Sequence, residues 1–130
     1  SDYDSENLTY NMIDEILKKN NYSNLDIEVH VPLMNILSDT TLLNQEEIQF
    51  ATNTWTHIDF IIFNKMNKKL VIAIEVDGYY FHREGTRQQE KDNIKNKILE
   101  KYDIPLIRLN TIGSGEKEIL ENKIKEIFEQ

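Results

Sequence analysis

Cysteine is absent from the 130 residues, and no apolar run approaches the length of a membrane-spanning helix. Without cysteine there are no disulfides and no thiolate metal sites, so aspartate, glutamate and histidine are the only strong metal ligands. The amino end has no basic segment followed by an apolar one, so nothing directs the chain to export or to a membrane. We therefore expect a cytoplasmic protein whose metal site, if it has one, is rich in oxygen ligands.

Basic residues are also scarce, since 15 lysines and arginines stand against 23 aspartates and glutamates, a formal net charge of −8. This charge argues against a simple nucleic-acid-binding module, because the phosphate backbone is met by Lys and Arg. The location of charge can outweigh its total, because a carboxylate cluster becomes less negative once a metal binds.

The length and the hydrophobic content of 39% indicate one globular domain over residues 1–130. The chain starts with Ser rather than Met, and we expect it to be a piece of a longer protein.

Hydrophobic periodicity predicts the element order α-β-β-β-α-β-α. The predicted elements are a helix over about 6–19, strands over 25–31, 57–63 and 69–77, a helix over 86–102 with Thr86 as its cap, a strand over 104–110 and a helix over 113–128. The polar sequence NKMNKK joins two of the strands into a central hairpin. The last helix is expected to bury Ile119, Leu120, Ile124, Ile127 and Phe128. The segment 33–56 lacks a clear period, so we expect a short helical turn and a long irregular connection there, with Trp55 in the core or as a lid over the site.

Three carboxylates interrupt the apolar hairpin. Glu75 and Asp77 are two residues apart, so their side chains share one face of a strand, and Asp59 lies within the other strand. In an even register, with residue 59 opposite residue 75, all three converge, whereas an odd register separates them. Carboxylates this close repel unless a cation joins them, and Mg²⁺ prefers such oxygen ligands. Buried ion pairs with Arg108 or a lysine are the alternative, and the spacing alone does not decide between the two.

The same segments carry a family resemblance. An acid on one hairpin strand, an acid-x-residue pair on the next, and then a helix and a strand resemble the PD-(D/E)XK nuclease superfamily over nearly the whole chain. Within it, IEVDGYYFH and KDNIKNKILEKYDIPLIRL are similar to the very-short-patch repair endonucleases. They are also similar to an uncharacterised bacterial domain family often attached to superfamily I helicases.

The resemblance implies an α/β (α+β) fold with a restriction-endonuclease-like αβββαβ core, in which a central mixed sheet is flanked by helices and an extra helix follows. It also implies a metal-dependent DNA endonuclease with Mg²⁺ or Mn²⁺ as cofactor, and a helicase motor in the same polypeptide as a partner. The alternative is a catalytically decayed domain of the same fold that binds nucleic acid and positions a helicase.

Carried over to this chain, the resemblance makes Asp59 and Glu75 metal ligands and the carbonyl of Val76 a third. Glu6 matches a glutamate that many members place beside the metal, although an acid in the first turn of a helix is also favoured by the helix dipole. The resemblance places His82 over the scissile phosphate as a general acid or as the holder of an ordered water. An ordinary surface histidine is the alternative for His82.

One position departs from the superfamily motif, because Asp77 stands where the motif carries a lysine. This removes from the motif the cation that is expected to hold the attacking water. Lys91 or Lys95, one turn apart on the following helix, could supply that charge from another direction. We therefore count Asp77 and Lys95 among the candidate catalytic residues.

A basic stripe follows the acidic strand, since four cations recur at every fourth position: Arg83, Arg87, Lys91 and Lys95. Helical spacing places at least the last three along one edge, which predicts contacts with nucleic-acid phosphates. A solvated helix face is the alternative. The ring of Tyr80 is expected to stack on a base. No pattern singles out His30 and His57.

Overall fold

The computed structural model describes residues 3–77, 86–109 and 115–129, with side chains from residue 6 onwards. These ranges form α1 (Tyr3–Lys19), β1 (Leu25–Pro32), α2 (Leu33–Ile36), α3 (Gln45–Thr52), β2 (His57–Asn64), β3 (Leu70–Val76), α4 (Arg87–Lys101), β4 (Leu106–Leu109) and α5 (Glu116–Phe128). The fold is a mixed α+β fold, and the predicted order of the main elements is confirmed. None of the helices in the described ranges combines the length and the apolar character that crossing a membrane requires.

The four strands form one mixed sheet in the order β1-β2-β3-β4. β2 runs antiparallel to both β1 and β3, and β4 runs parallel to β3. The hairpin strands are therefore central, as predicted. Phe60 pairs with Ile74, and the same register continued sets Asp59 opposite Glu75. The even register that the converging carboxylates require is confirmed.

Apolar side chains cover both faces of the sheet. One core packs α1 and α5 against the sheet and contains Ile13, Phe60, Ile74, Leu120 and Ile124 among others. The second core packs the opposite face against α2, α3 and α4 and includes Leu33, Ala51, Ile61, Ala73, Ile98 and Leu99. Because strand side chains alternate, Asp59 and Glu75 share the face of Ile61 and Ala73, beneath α4. This places both acids where α4 can reach them.

Several boundaries differ from the predictions. α1 begins at Tyr3, ahead of the predicted residue 6. Ile119 is 47% exposed, so its predicted burial is wrong, whereas the predicted burial of Leu120 and Ile124 is confirmed. Thr86 does cap α4, because its hydroxyl oxygen accepts a hydrogen bond from the Gln89 amide at 3.1 Å.

The segment 33–56 is more regular than predicted, because it contains the two short helices α2 and α3. α3 has a capping box, in which the Asn44 side chain accepts from the Glu47 amide at 2.8 Å and the Glu47 carboxylate accepts from the Asn44 amide at 2.9 Å. The buried Glu47 carboxylate also pairs with Lys101 of α4. The irregular connection predicted here is wrong because caps and ion pairs, rather than hydrophobic periodicity, define so short a helix.

We predict that Glu47→Ala lowers the free energy of unfolding by about 1–2 kcal/mol, because it removes the capping box and leaves Lys101 without this acid. Urea denaturation measures the change. Glu46→Ala is the matched control, since Glu46 lies in the same first turn but is exposed. Equal losses in the two variants would show that the box contributes nothing.

Candidate metal centre

A cleft of about 300 Å³ opens where β2 and β3 meet the first half of α4. Side chains from these elements, from α3 and from the turn before β2 line it: Phe50, Asn53, Trp55, Thr56, His57, Asp59, Glu75, Val76, Asp77, Gln88, Lys91, Asp92 and Lys95. Four of these are carboxylates that are no more than 8% exposed. The cleft therefore gathers buried negative charge, and each acid must be stabilised by a nearby donor or cation.

Asp59 and Glu75 lie side by side on the floor of this cleft. The amide of Asp59 donates to Glu75 Oε2 at 3.2 Å, and the amide of Val76 donates to Asp59 Oδ2 at 2.8 Å. Each carboxylate thus accepts a backbone N–H from the neighbouring strand. The structure brings together the two acids that the resemblance assigns as ligands, with the Val76 backbone beside them.

Lys95 lies against this pair from α4. Its ammonium group forms a salt bridge with Glu75 Oε1 and donates to the His57 carbonyl at 2.9 Å. The side chain of Lys95 is 13% exposed, so the contact is made largely away from water. Of the two lysines considered as substitutes for the motif cation, Lys95 is the one paired with Glu75 in the described residues. Lys91 is exposed and lines the cleft.

Asp77 is held by a different cation. Arg108 Nη1 lies 3.1 Å from Asp77 Oδ1 and 3.2 Å from Oδ2, and it lies 3.7 Å from Asp92 Oδ1. Asn96 fixes the guanidinium group by accepting from its Nε and Nη2 atoms at 3.0 and 2.7 Å. Of the ion pairs considered as the alternative, the pair between Glu75 and a lysine is present, and that lysine is Lys95. Arg108 pairs with Asp77.

The electrostatics of the cleft favour a proton or a cation at Glu75. Burial raises the pKa of Glu75 to about 7, the Lys95 ammonium lowers it, and the neighbouring Asp59 carboxylate raises it. Among the described residues, Asp59 is the buried cleft acid that forms no salt bridge with a lysine or arginine. A divalent cation beside Asp59 and Glu75 would remove the repulsion between them.

Two histidines meet at Asp59, and the sequence analysis did not single out either of them. One ligand atom from each of His30, His57 and Asp59 lies within 4.8 Å of the others. The imidazole rings of the two histidines are 5.0 Å apart at an angle of 60°. This group can hold a metal ion. The histidines lie on different strands, so no sequence spacing links them, and only the pairing of β1 with β2 could have revealed them.

The remaining candidates divide into those that the structure describes and those that it does not. Glu6 Oε2 lies 2.8 Å from His30 Nε2, so Glu6 is hydrogen-bonded to one of the two histidines beside Asp59. Trp55 is 85% exposed and lines the cleft, so of its two predicted places the core is wrong, and the lid over the site stays a prediction. Arg87 is exposed at the start of α4. Three candidates lie outside the described residues: Tyr80, His82 and Arg83.

We predict that the metal-free protein loses stability as the pH rises from 4.5 to about 7 because of Glu75. In that window the folded protein keeps a proton on Glu75 that the unfolded chain has lost, so the free energy of unfolding falls with rising pH. Glu75→Gln does not titrate, so the stability difference between wild type and variant should change by about 3 kcal/mol across the window.

Urea denaturation in EDTA at steps across this pH range measures that difference. A difference that stays constant from acid to neutral pH would contradict a raised pKa at Glu75.

Comparison with known proteins places the chain in a family and does not supply an activity. No significant match was found among curated proteins or among solved structures. A family model described as "Protein of unknown function (DUF2726)" matches residues 3–127. Because this match covers nearly all of the 130 residues, the chain belongs to the DUF2726 family.

Proposed function

We propose that this domain is a metal-dependent phosphodiester hydrolase that acts on DNA. One observation carries the proposal, namely that Asp59 and Glu75 lie side by side in a cleft with the Lys95 ammonium on Glu75. Two acids and a cation in this arrangement are what the PD-(D/E)XK resemblance implies for a nuclease. The cation comes from α4 rather than from position 77.

The fold supports the same proposal. α1, β1, β2, β3, α4 and β4 follow one another in the αβββαβ order that the resemblance implies, with β4 parallel to β3. The insertion of α2 and α3 between β1 and β2 leaves this order intact, and α5 is the extra helix at the end. A restriction-endonuclease-like core is therefore the fold that we propose.

The donor set fits a hard divalent cation such as Mg²⁺ or Mn²⁺. Asp59, Glu75 and the Val76 carbonyl would hold it, and a carboxylate oxygen that accepts one hydrogen bond keeps a lone pair for a metal. A bound ion there would polarise the scissile phosphate and lower the pKa of a bound water. The raised pKa of Glu75 suits this role, because a bound cation would neutralise the buried carboxylate in place of the proton.

Lys95 fills the role that the motif lysine has in the PD-(D/E)XK nucleases. A lysine ammonium group has three N–H donors, and two of those of Lys95 bind Glu75 and the His57 carbonyl. The third can hold the attacking water or a phosphate oxygen in the cleft. Asp77, whose carboxylate pairs with Arg108, then orients that guanidinium group and does not bind the water.

Cations at the edge of the cleft explain how an acidic protein could hold DNA. Lys91 is exposed beside the cleft, and Arg87 is exposed one turn earlier on α4. Two buried acids of the cleft, Asp77 and Asp92, have a cation of their own, since Arg108 contacts both. We propose that Lys91 and Arg87 follow the DNA phosphates, and that the domain works beside a helicase motor in a longer chain.

A second function has an observation in its favour. The pairs Lys95–Glu75 and Arg108–Asp77 stabilise two of the cleft acids without a metal. These ion pairs would be sufficient to stabilise those acids in a decayed domain that binds DNA and positions a helicase. Asp59, which has no basic salt-bridge partner among the described residues, favours the hydrolase.

We predict that Asp59→Asn abolishes Mg²⁺-dependent cleavage of labelled DNA and that Lys95→Met lowers the single-turnover rate by about a hundredfold, with little loss of affinity. The amide introduced by the first change is a far weaker ligand than the carboxylate it replaces, and methionine keeps much of the length of Lys95 without its charge. Glu28→Gln, which removes an exposed acid from β1, is the control and should cleave as wild type does. Binding by wild type without cleavage in Mg²⁺ or Mn²⁺ would favour the decayed domain.

The proposed DNA path makes a separate prediction about salt. Lys91→Ala should weaken binding on every sequence tested and lower the slope of log K against log salt by about one unit. Fluorescence anisotropy over a salt series measures the slope. Lys123→Ala is the control, because Lys123 is exposed on α5, across the sheet from α4. Equal slopes for wild type and Lys91→Ala would place the DNA elsewhere.

A further inference from the structure

The backbone of His30 is unusual for a strand residue. Its φ is +50°, the left-handed region that side chains with a Cβ rarely adopt. Its neighbours Val29 and Val31 pair with Phe60 and Ile58, so the register sets His30 level with Asp59. Backbone conformations of this kind persist where the surroundings hold them, and they cluster at functional sites. The strained residue is thus the histidine of β1 that belongs to the group His30, His57 and Asp59.

Each of the two imidazoles has one nitrogen that is fixed by a hydrogen bond. His57 Nδ1 lies 3.0 Å from the Trp55 carbonyl, which can only accept, so Nδ1 carries the proton and Nε2 keeps the lone pair. His30 Nε2 lies 2.8 Å from the Glu6 carboxylate, which leaves the lone pair on Nδ1. Metal-binding histidines almost always donate their second N–H to a carboxylate or a backbone carbonyl. Both histidines therefore have the outer contact that a ligand needs.

The geometry is close to that of a bound site. One ring nitrogen of each histidine and one carboxylate oxygen of Asp59 lie within 4.8 Å of one another. Two atoms bound to the same ion stand at most about 4.2 Å apart, twice a metal–nitrogen bond of ~2.1 Å. His30 is exposed, and a small movement of its ring can close the remaining gap. Two imidazoles with one carboxylate suit the later transition metals such as Co²⁺, Ni²⁺ and Zn²⁺, whereas Mg²⁺ and Mn²⁺ prefer oxygen ligands.

We infer that His30, His57 and Asp59 form a second cation site, which takes a nitrogen-preferring transition metal in preference to Mg²⁺, with Glu6 as the residue that positions His30. The site shares Asp59 with the proposed Mg²⁺ centre but does not use Glu75 or Lys95. It goes beyond the proposed hydrolase, because metal binding here requires neither DNA nor cleavage. The role of Glu6 changes accordingly, from a ligand of the ion to a partner of its histidine ligand.

Titration of the whole chain with CoCl₂, followed by the visible absorption of bound cobalt, tests the site. We expect one bound Co²⁺ that excess MgCl₂ does not displace. His30→Asn keeps a residue that tolerates positive φ, and His57→Phe keeps the ring, yet each should weaken Co²⁺ binding at least tenfold. Glu6→Gln leaves both histidines in place but removes the carboxylate that orients His30. It should weaken Co²⁺ binding by about tenfold, as changes to the hydrogen-bond partner of a metal ligand usually do.

One control variant and one variant of the hydrolytic site decide the outcome. Glu28→Gln should bind Co²⁺ as wild type does, because it removes an acid that is exposed elsewhere on β1. Glu75→Gln should lose cleavage and keep Co²⁺, so failure of the proposed hydrolase leaves this result standing. Wild-type Co²⁺ binding in both His30→Asn and His57→Phe, or displacement of Co²⁺ by Mg²⁺, would overturn the inference.

Discussion

The even register of β2 against β3 is the constraint on which the candidate site depends. It sets Asp59 and Glu75 on one face of the sheet, beneath α4, and lets each accept an N–H from the opposite strand. A shift by one residue would turn one of the acids towards the core that α1 and α5 cover. Two carboxylates buried at this distance repel each other, so the fold keeps them only with compensating positive charge.

The distribution of cations over the cleft follows from the same constraint. Lys95 reaches Glu75 from α4, which packs on the carboxylate face, and Arg108 reaches Asp77 from β4, the strand beside β3. Asp59 stands between Glu75 on β3 and the histidine pair on β1 and β2. It has no salt bridge with a lysine or arginine of the described residues. Asp59 is therefore the acid around which both the proposed Mg²⁺ centre and the inferred transition-metal site are built.

The sequence predicts the parts of this structure that depend on local patterns. Alternating apolar runs and the polar turn between them define the hairpin, and Thr86 marks the start of α4 as its cap. The spacing of Glu75 and Asp77 does predict a shared face, but it contains no information on which cation each acid meets. That choice depends on two elements outside the hairpin. α4 packs over β3 and carries Lys95, and β4 pairs with β3 and carries Arg108.

The features that the predictions missed either leave no hydrophobic period or depend on contacts between distant segments. α3 is held by its caps and by the Glu47–Lys101 pair, neither of which leaves a hydrophobic period. The histidine pair depends on the β1–β2 register and on the positive φ of His30, which a sequence does not display. Ile119 illustrates the opposite error, because a helical period predicts which residues share a face but does not fix how wide the buried face is.

A crystal structure of the chain soaked in Mn²⁺ and read by anomalous scattering tests the central claim most directly. The account predicts a peak within about 2.2 Å of carboxylate oxygens of both Asp59 and Glu75, beside the Val76 carbonyl, with Lys95 still over the cleft. The absence of a peak between Asp59 and Glu75 at saturating Mn²⁺, with Lys95 still closed on Glu75, would contradict it, whether or not His30 and His57 hold an ion. The acids would then be a buried ion-pair network rather than a metal centre.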